Sequence, residues 1–307
     1  MADHHHVRLR RSELFVPGTD SERVPKAIAT GADIVILDLE DAVVPDAKIT
    51  ARAQVIESLT GLDWNRVGRS VRINGLDTEW ALDDIETLVA EAGHVLDVIL
   101  VPKVQDGHDV RFIDRLLTAT ERRAGLDRKI GLELTIEDAY GLTNADDICR
   151  AAPDRAEALA FGIGDFTTSL GLRWGNPLID QYPGDAYHSI RSRIVVAARA
   201  AGLDPVDGPY MRVRDTEGME AEASRAAALG FGGKLLIHPT QVEPTNRLLA
   251  PGPEEVAEAE ELLAAYEAAR AAGRGAVAVK GALLDEALLP MLRNVVARGR
   301  AAQAAGR

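Results

Sequence analysis

The chain of 307 residues is poor in cysteine, in aromatic side chains and in long apolar runs. Its single cysteine, Cys149, cannot form an internal disulfide or a site of several thiolates, which favours a reducing compartment. The amino terminus carries basic residues but lacks the apolar core of a secretory signal, and no apolar segment has the length of a membrane span. We therefore expect a cytoplasmic protein without a membrane partner.

Basic residues are also in the minority, with 35 Lys and Arg against 48 Asp and Glu and a formal net charge of -13. This balance argues against binding of nucleic acid, because phosphate backbones need a basic face. An anionic cofactor can still bind through a few local Arg and Lys side chains. The length and the hydrophobic content of 46% fit one large globular domain.

Eight apolar segments rich in β-branched residues alternate with stretches of helical periodicity. The predicted strands are LFVPG from Leu14, DIVILDLED from Asp33, SVRING from Ser70, VILVPKV from Val98, IGLELTIE from Ile130, ALAFGIGD from Ala158, DPVDGPY from Asp204 and GKLLIHP from Gly233. Near-continuous apolar character is typical of parallel strands covered on both faces. The pattern predicts an α/β protein with a (β/α)₈ TIM barrel, and an open doubly wound sheet is the alternative. The turn FVPGTDSER lacks the glycine-rich phosphate loop of that alternative.

The barrel domain is predicted to span residues 1–272, and its last helix lies in PGPEEVAEAEELLAAYEAARAAG. Residues 273–307 form a C-terminal extension, in which a short strand-like piece precedes a helix. Since the eight strands are already complete, this extension must pack on the barrel or on a neighbouring subunit.

Polar side chains follow nearly every predicted strand, at the end where TIM barrels carry their chemistry. They are Glu40 and Asp41, Arg72 and Asn74, Lys103, Glu137, Asp165, Asp207 and His238. The run His4–His6 is typical of a mobile chain end and is excluded from the site. We therefore expect an active site at the carboxyl ends of the strands.

Glu137 and Asp165 end adjacent predicted strands and could hold a hard divalent cation, Mg²⁺ or alternatively Mn²⁺. By residue type alone, pairing with an arginine or capping of a helix is equally consistent with these two carboxylates. Arg72 is expected to point into the barrel mouth, where it bridges Glu40 or Asp41 or binds a substrate oxygen. We expect a structural role for Asp38, and we expect His238 to support the residues that contact the substrate without contacting it directly.

Several segments carry a resemblance to a known family. They are LFVPG, VILDLEDAVVPDAKITAR, SVRINGLDT, VPKV, IEDAYGLTNADDI, FGIGDFTTSLG, VDGPY, LGFGGKLLIHPTQV and KGALLD. In this order they resemble the citrate lyase beta-subunit-like group of the HpcH/HpaI aldolase superfamily, and most closely its malyl-CoA lyases. The likeness spans nearly the full chain, and the set is specific although each motif alone is weak.

The resemblance implies a Mg²⁺-dependent lyase that cleaves 3-hydroxyacyl-CoA esters such as malyl-CoA or citramalyl-CoA to an acyl-CoA and a 2-oxo acid such as glyoxylate. It assigns the metal to Glu137 and Asp165 and a substrate oxygen to Arg72. It also implies that the C-terminal extension of one subunit covers a neighbour's active site and delivers Asp285, within a homotrimer or hexamer. Asp41 is expected to orient Arg72 or to bind metal-bound water.

Coenzyme A needs phosphate contacts at the barrel rim, for which Arg23 and Lys26 are candidates, although solvated surface charges are the commoner interpretation. Glu40 and Lys103 are further candidates for substrate or coenzyme A binding. The segment ELTIEDAYG is more acidic than the usual family segment, and a long loop follows Ser169. Alternatives on the same scaffold are a malyl-CoA thioesterase, a malate-synthase-like enzyme, an aldolase of free oxo acids and the beta subunit of a carrier-dependent citrate lyase.

Overall fold

Eight parallel strands close into a barrel in the computed structural model, which describes residues 8–172 and 185–304. The strands are β1 Ser12–Pro17, β2 Ile34–Asp38, β3 Gly68–Arg72, β4 Val98–Val101, β5 Gly131–Ile136, β6 Ala156–Phe161, β7 Asp204–Asp207 and β8 Gly233–Leu236. Each pairs with the next along the chain, and β8 pairs with β1. The predicted TIM barrel is therefore confirmed. The run His4–His6 and most of the long loop after Ser169 lie outside the described residues.

Helices follow the strands. They are α1 Val24–Ala29, α2 Lys48–Gly61, α3 Ala81–Ala92, α4 Gly107–Arg123, α5 Ala139–Thr143, α6 Ala145–Arg150, α7 Ile163–Ser169, α8 His188–Ala200, α9 Thr216–Leu229, α10 Val242–Leu249, α11 Pro253–Ala271 and α12 Leu289–Ala304. Short 3₁₀ turns cover Ser21–Arg23, Pro45–Ala47, Pro239–Gln241 and Glu286–Leu288. None of the described helices combines the length and hydropathy that a membrane span requires.

Alternation along the strands separates two apolar layers. On β2, Ile34 and Ile36 belong to the cluster inside the barrel, whereas Val35 and Leu37 join the larger core between strands and helices. The interior also contains a charged group at the amino ends of the strands. There, Arg10 Nη1 lies 3.1 Å from Glu13 Oε1 and 2.9 Å from Glu133 Oε2, with all three side chains buried.

The described residues divide into two compact units, one from Arg10 to Thr245 and a second that begins at Asn246 and includes Arg8 and Leu9. In the second unit, β9 Ala276–Val279 and β10 Ala282–Asp285 form an antiparallel hairpin, where the sequence predicts a single strand-like piece. Lys280 and Gly281 turn the chain with φ values of 49° and 83°. Leu284 packs with residues of α11 and α12. The predicted covering of a neighbour's active site stays a prediction.

Candidate active site

A cavity of about 830 Å³ opens at the carboxyl ends of the barrel strands. Four carboxylates line it together with the basic side chains expected there; the polar lining residues include Asp38, Asp41, Glu137, Asp165, Arg72, Arg23, Lys26 and His238. The remaining wall is largely apolar and includes Phe15, Ile163, Met211 and Leu235. Mostly apolar walls with a few convergent charges are typical of small-molecule sites.

Arg72 is held by a fork of hydrogen bonds to Asp38. Arg72 Nε donates to one carboxylate oxygen and Nη2 to the other, each over 2.7 Å. The two residues are register partners at the ends of β3 and β2, so the sheet itself brings them together. By sequence alone, Asp38 is expected to have a structural role, whereas in the structure it is the main partner of Arg72, the predicted oxygen-binding residue.

The backbone after β2 fixes Asp38 in turn. Its two carboxylate oxygens accept the N–H groups of Glu40 and Ala42 over 2.9 and 3.1 Å. Burial alone would lower the pKa of Arg72, but hydrogen bonding to Asp38 and the charges of Asp38, Glu40 and Asp41 raise that pKa above its ordinary value. Arg72 is therefore a permanent cation in the cavity wall.

Glu40 and Lys103 form an ion pair beside Arg72. Glu40 Oε1 lies 2.6 Å from Lys103 Nζ, and Oε2 lies 3.0 Å from Arg72 Nη1. Neither Glu40 nor Lys103 is among the described residues that line the cavity. Their predicted contact with substrate or coenzyme A thus stays a prediction, and the structure gives both carboxylate oxygens of Glu40 basic partners instead.

Asp41 lines the cavity and is 56% exposed, and its predicted catalytic role stays a prediction. Its Oδ2 lies 3.5 Å from Arg72 Nη1. Burial would raise the pKa of Asp41, but a hydrogen bond with Glu40 and the charges of Arg72 and Lys103 lower that pKa. Asp41 is therefore a carboxylate at neutral pH, able to accept hydrogen bonds from water or substrate.

Glu137 is a buried carboxylate beside a second carboxylate. Its Oε2 has no hydrogen-bond partner among the described residues, although Glu137 is only 5% exposed. Burial raises the pKa of Glu137 well above its ordinary value, and the charges of Glu40 and Asp165 add to this rise, against the opposing effect of Arg72. A buried oxygen without a partner, next to Asp165, is an arrangement that a bound cation would stabilise.

Gly162 makes the room for Glu137. A Cβ at Gly162 would overlap the Glu137 side chain, with 3.0 Å left to its Cδ. Gly162 follows β6, where its N–H donates to the Ile136 carbonyl, and Asp165 lies in the first turn of α7 three residues later. The short segment FGIGD therefore has two roles: Gly162 leaves space for the Glu137 side chain, and Asp165 is the second carboxylate.

The donor set suits a hard cation that keeps water and substrate ligands. Among residues 8–172 and 185–304, no group of three or more His, Cys, Asp or Glu side chains converges into a complete cage. Two carboxylates with open positions are how Mg²⁺ is commonly held in enzymes. The surrounding charge also favours a dication, because five carboxylates meet three nearby cations among the described residues. The carboxylates are Asp38, Glu40, Asp41, Glu137 and Asp165, and the cations are Arg72, Lys103 and Lys48.

Two strand-end residues expected at the mouth lie elsewhere. Asp207 is completely buried and pairs with Lys234 at 2.6 Å and Arg191 at 2.8 Å. Its neighbour Val206 belongs to the barrel interior, so alternation turns Asp207 outward toward the helices. Asn74 is likewise buried and donates to Asp84 Oδ2 over 2.6 Å. Both residues stabilise the barrel wall and do not line the cavity.

The remaining predicted site residues differ in their exposure and in their hydrogen-bond partners. Arg23 is 68% exposed, and its Nε lies 2.8 Å from Asp20, whereas Lys26 is exposed on α1. His238 lines the cavity and accepts the Thr240 N–H at the start of the 3₁₀ turn. Asp285 belongs to the second compact unit, where it is exposed and accepts the Ala287 N–H over 3.0 Å. Its delivery to a neighbouring site stays a prediction.

Known proteins resemble the chain over almost its whole length. The family model described as HpcH/HpaI aldolase/citrate lyase matches residues 11–239. An L-malyl-CoA/beta-methylmalyl-CoA lyase of Cereibacter sphaeroides is 40% identical, with 94% of each chain covered. A (3S)-malyl-CoA thioesterase of the same species is 35% identical and covers 98% of this chain and 99% of its own.

A solved structure agrees with these sequence matches. The protein CitE from Mycobacterium tuberculosis, in complex with magnesium, acetoacetate and coenzyme A, superposes with a TM-score of 0.72. The two chains are 30% identical, and the match covers 94% of this chain and 97% of that one. The similarity therefore includes the barrel and much of the second compact unit.

Proposed function

Because the chain belongs to the HpcH/HpaI aldolase/citrate lyase family, we propose that it is a Mg²⁺-dependent carbon–carbon lyase of 3-hydroxyacyl-CoA esters. Its substrates are of the malyl-CoA or citramalyl-CoA type, and its products are an acyl-CoA and a 2-oxo acid such as glyoxylate. One observation carries the proposal. The carboxylate pair Glu137 and Asp165 shares a cavity with an arginine that Asp38 holds rigidly.

Cleavage breaks the bond between the hydroxyl-bearing carbon and the carbon next to the thioester. The hydroxyl gives its proton to a general base, its oxygen becomes the carbonyl of the 2-oxo acid, and the electron pair of the broken bond passes into the thioester enolate. When bound by Glu137 and Asp165, Mg²⁺ would supply a Lewis acid for the oxygens of the acid portion. A proton must then reach the enolate carbon to complete the acyl-CoA product.

Arg72 acts on the oxygen where negative charge develops. Asp38 takes only one of the two hydrogens on Arg72 Nη2, so the other is available for a substrate oxygen. Because the guanidinium is already oriented, little reorganisation is needed as the enolate forms. Asp41, ionised and half-exposed at the same rim, accepts hydrogen bonds that keep water or the hydroxyl group in position.

The proton for the enolate carbon comes from Asp285 of a neighbouring subunit in this proposal. A carboxyl group is a suitable general acid and base when a subunit contact shields it from water. Arg23 and Lys26 stand at the cavity rim, where they can contact the phosphates of coenzyme A. This assignment requires an oligomer, for which we propose a homotrimer or hexamer.

The test is to incubate the purified protein with Mg²⁺ and malyl-CoA, citramalyl-CoA or β-methylmalyl-CoA and to identify the products by mass spectrometry. A lyase forms an acyl-CoA and a 2-oxo acid in equal amounts, and the reverse mixture regenerates the ester. Absence of reaction with all three esters, with and without an acyl-carrier protein, would refute the proposal. Turnover only with the carrier would instead favour a citrate lyase beta subunit.

A thioesterase is the second candidate, because the 35% identical relative named (3S)-malyl-CoA thioesterase matches the full chain. Hydrolysis breaks the carbon–sulfur bond and consumes water, so it releases free coenzyme A and leaves the four-carbon acid intact. Detection of free thiol with 5,5′-dithiobis(2-nitrobenzoate) separates the two activities. Thiol release without a 2-oxo acid would favour the thioesterase.

A further inference from the structure

Lys103 follows β4 and lies between carboxylates that follow two other strands. Its Nζ is 2.6 Å from Glu40 Oε1, after β2, and 3.7 Å from Asp165 Oδ2, after β6. Asp41 Oδ1 is 3.8 Å away. Lys103 is 41% exposed and is not among the described residues that line the cavity, but Asp41 and Asp165 do line it. One of those groups, Asp165, is half of the proposed metal pair.

The backbone fixes this arrangement. Lys103 has φ of 53°, in the left-handed region that residues with a side chain rarely adopt because of steric strain. Its carbonyl accepts a hydrogen bond from Gln105, whose amide also donates to Asp138 over 2.6 Å. Backbone conformation and the ion pair with Glu40 therefore hold the ammonium close to Asp165.

The side chain of Lys103 ends in an ammonium group, which carries a positive charge and has no acceptor oxygen. A fixed positive charge 3.7 Å from one ligand oxygen must repel any dication bound to that same carboxylate. Glu40 keeps the ammonium from moving away when a cation arrives.

We propose that Lys103 is a positioning residue that weakens the binding of Mg²⁺ to Glu137 and Asp165 and so keeps the cation exchangeable. The inference rests on the proposed function, since it requires that these two carboxylates hold a divalent cation. It differs from the expectation of the sequence analysis, in which Lys103 contacts substrate or coenzyme A. Lys103 acts instead through Asp165.

Titration calorimetry with Mg²⁺ alone tests this role on the full-length protein. Removal of the charge in Lys103→Met should tighten Mg²⁺ binding by at least about tenfold, as expected for one unit charge several ångströms from a dication even at the dielectric constant of water. Lys103→Arg keeps the charge and should stay within about twofold of the wild type. Lys129→Met removes an exposed lysine whose nearest carboxylate, Asp154, is 4.0 Å away, and should change nothing.

Lys103→Gly provides an independent variant, because glycine adopts positive φ without a steric cost. It should tighten Mg²⁺ binding as much as Lys103→Met and unfold at a higher temperature than that variant. Unchanged or weaker Mg²⁺ binding in both variants would overturn the inference. A raised KM for the acyl-CoA at unchanged Mg²⁺ affinity would do so as well. A wild-type protein that binds no Mg²⁺ would instead refute the metal site of the proposed function.

Discussion

Asp38 fixes the orientation of the Arg72 guanidinium, because a carboxylate offers two hydrogen-bond acceptors to a guanidinium and an amide offers only one. Asp38→Asn would place an NH₂ group against one N–H of Arg72, and the fork would lose an arm. We expect kcat for ester cleavage to fall about 100-fold, the usual scale for a misplaced catalytic group. Steady-state kinetics with malyl-CoA measure this loss.

The matched control for that variant is Asp106→Asn, since Asp106 caps α4 by accepting the His108 N–H and asparagine caps equally well. Its kcat should stay at the wild-type value. Mg²⁺ affinity should also survive in Asp38→Asn, because Asp38 is not one of the proposed ligands. A wild-type kcat in Asp38→Asn would contradict the role given to the fork.

Gly162 is the second residue on which the site depends. Alanine at this position would force the Glu137 side chain to move, because the new Cβ would overlap it. We expect Gly162→Ala to weaken Mg²⁺ binding at least about tenfold, since a shift of one of two protein ligands disturbs the coordination geometry. Calorimetry gives the affinity directly.

Gly164→Ala is the comparison for that measurement, because a Cβ at Gly164 would meet none of the described residues within 4 Å beyond its own chain neighbours. The two glycines lie in the same short segment, so only the contact with Glu137 distinguishes them. Equal Mg²⁺ affinities for the two alanine variants would show that Gly162 makes no room that the metal site needs.

At the scale of elements, the strands could be predicted because parallel barrel strands are covered on both faces and read as apolar runs. The polar residues at the cavity rim could be predicted because TIM barrels have their active sites at the carboxyl ends of the strands. The prediction that Asp207 lies at the barrel mouth was wrong, because a residue at a strand end does not necessarily point into the barrel. Its neighbour Val206 belongs to the barrel interior, so alternation along the strand turns Asp207 outward. The fork of Asp38 also depends on strand register, which sequence alone does not provide.

The hairpin of β9 and β10 is the element that the sequence resolved least well, because AVAV and ALLD are too short and uniform to show a turn between them. The turn depends on Gly281, whose φ of 83° excludes a β-branched side chain. Gly281→Val should destabilise the hairpin by about 1–2 kcal/mol. Faster amide hydrogen exchange in β9 and β10, measured by mass spectrometry, would report this change.

Lys280→Asn controls for the loss of local contacts in the turn, since asparagine accepts positive φ more readily than most residues. It removes the exposed ion pair with Glu261 but should leave exchange in the hairpin nearly unchanged. If Gly281→Val also exchanges at the wild-type rate, the turn does not limit the stability of the hairpin.

At the scale of the whole molecule, the buried group at the amino ends of the barrel strands should make stability depend on pH. Glu13 and Glu133 share Arg10, and both carboxyl groups are completely buried. Burial raises the pKa of Glu13 well above its ordinary value, and the charge of Glu133 raises it further, whereas Arg10 offsets only part of this. Glu157 and Asp204 add negative charge on the other side of Arg10.

A carboxyl group whose pKa is higher in the folded than in the unfolded chain favours folding when it is protonated. Its contribution is complete below the unfolded pKa, near 4.5, and is lost as pH rises through the folded value. Glu13→Gln keeps the donor of the protonated acid without the charge, so it should be more stable than the wild type at pH 8 by about 1–2 kcal/mol. The gain should disappear toward pH 4.5, where the wild-type side chain is itself neutral.

Urea denaturation followed from pH 4.5 to 8 measures the difference, with the exposed Glu57→Gln expected to follow the wild-type curve. A constant difference between Glu13→Gln and wild type across this range would contradict the prediction. It would mean that the Glu13 carboxylate stays ionised inside the folded barrel throughout this range.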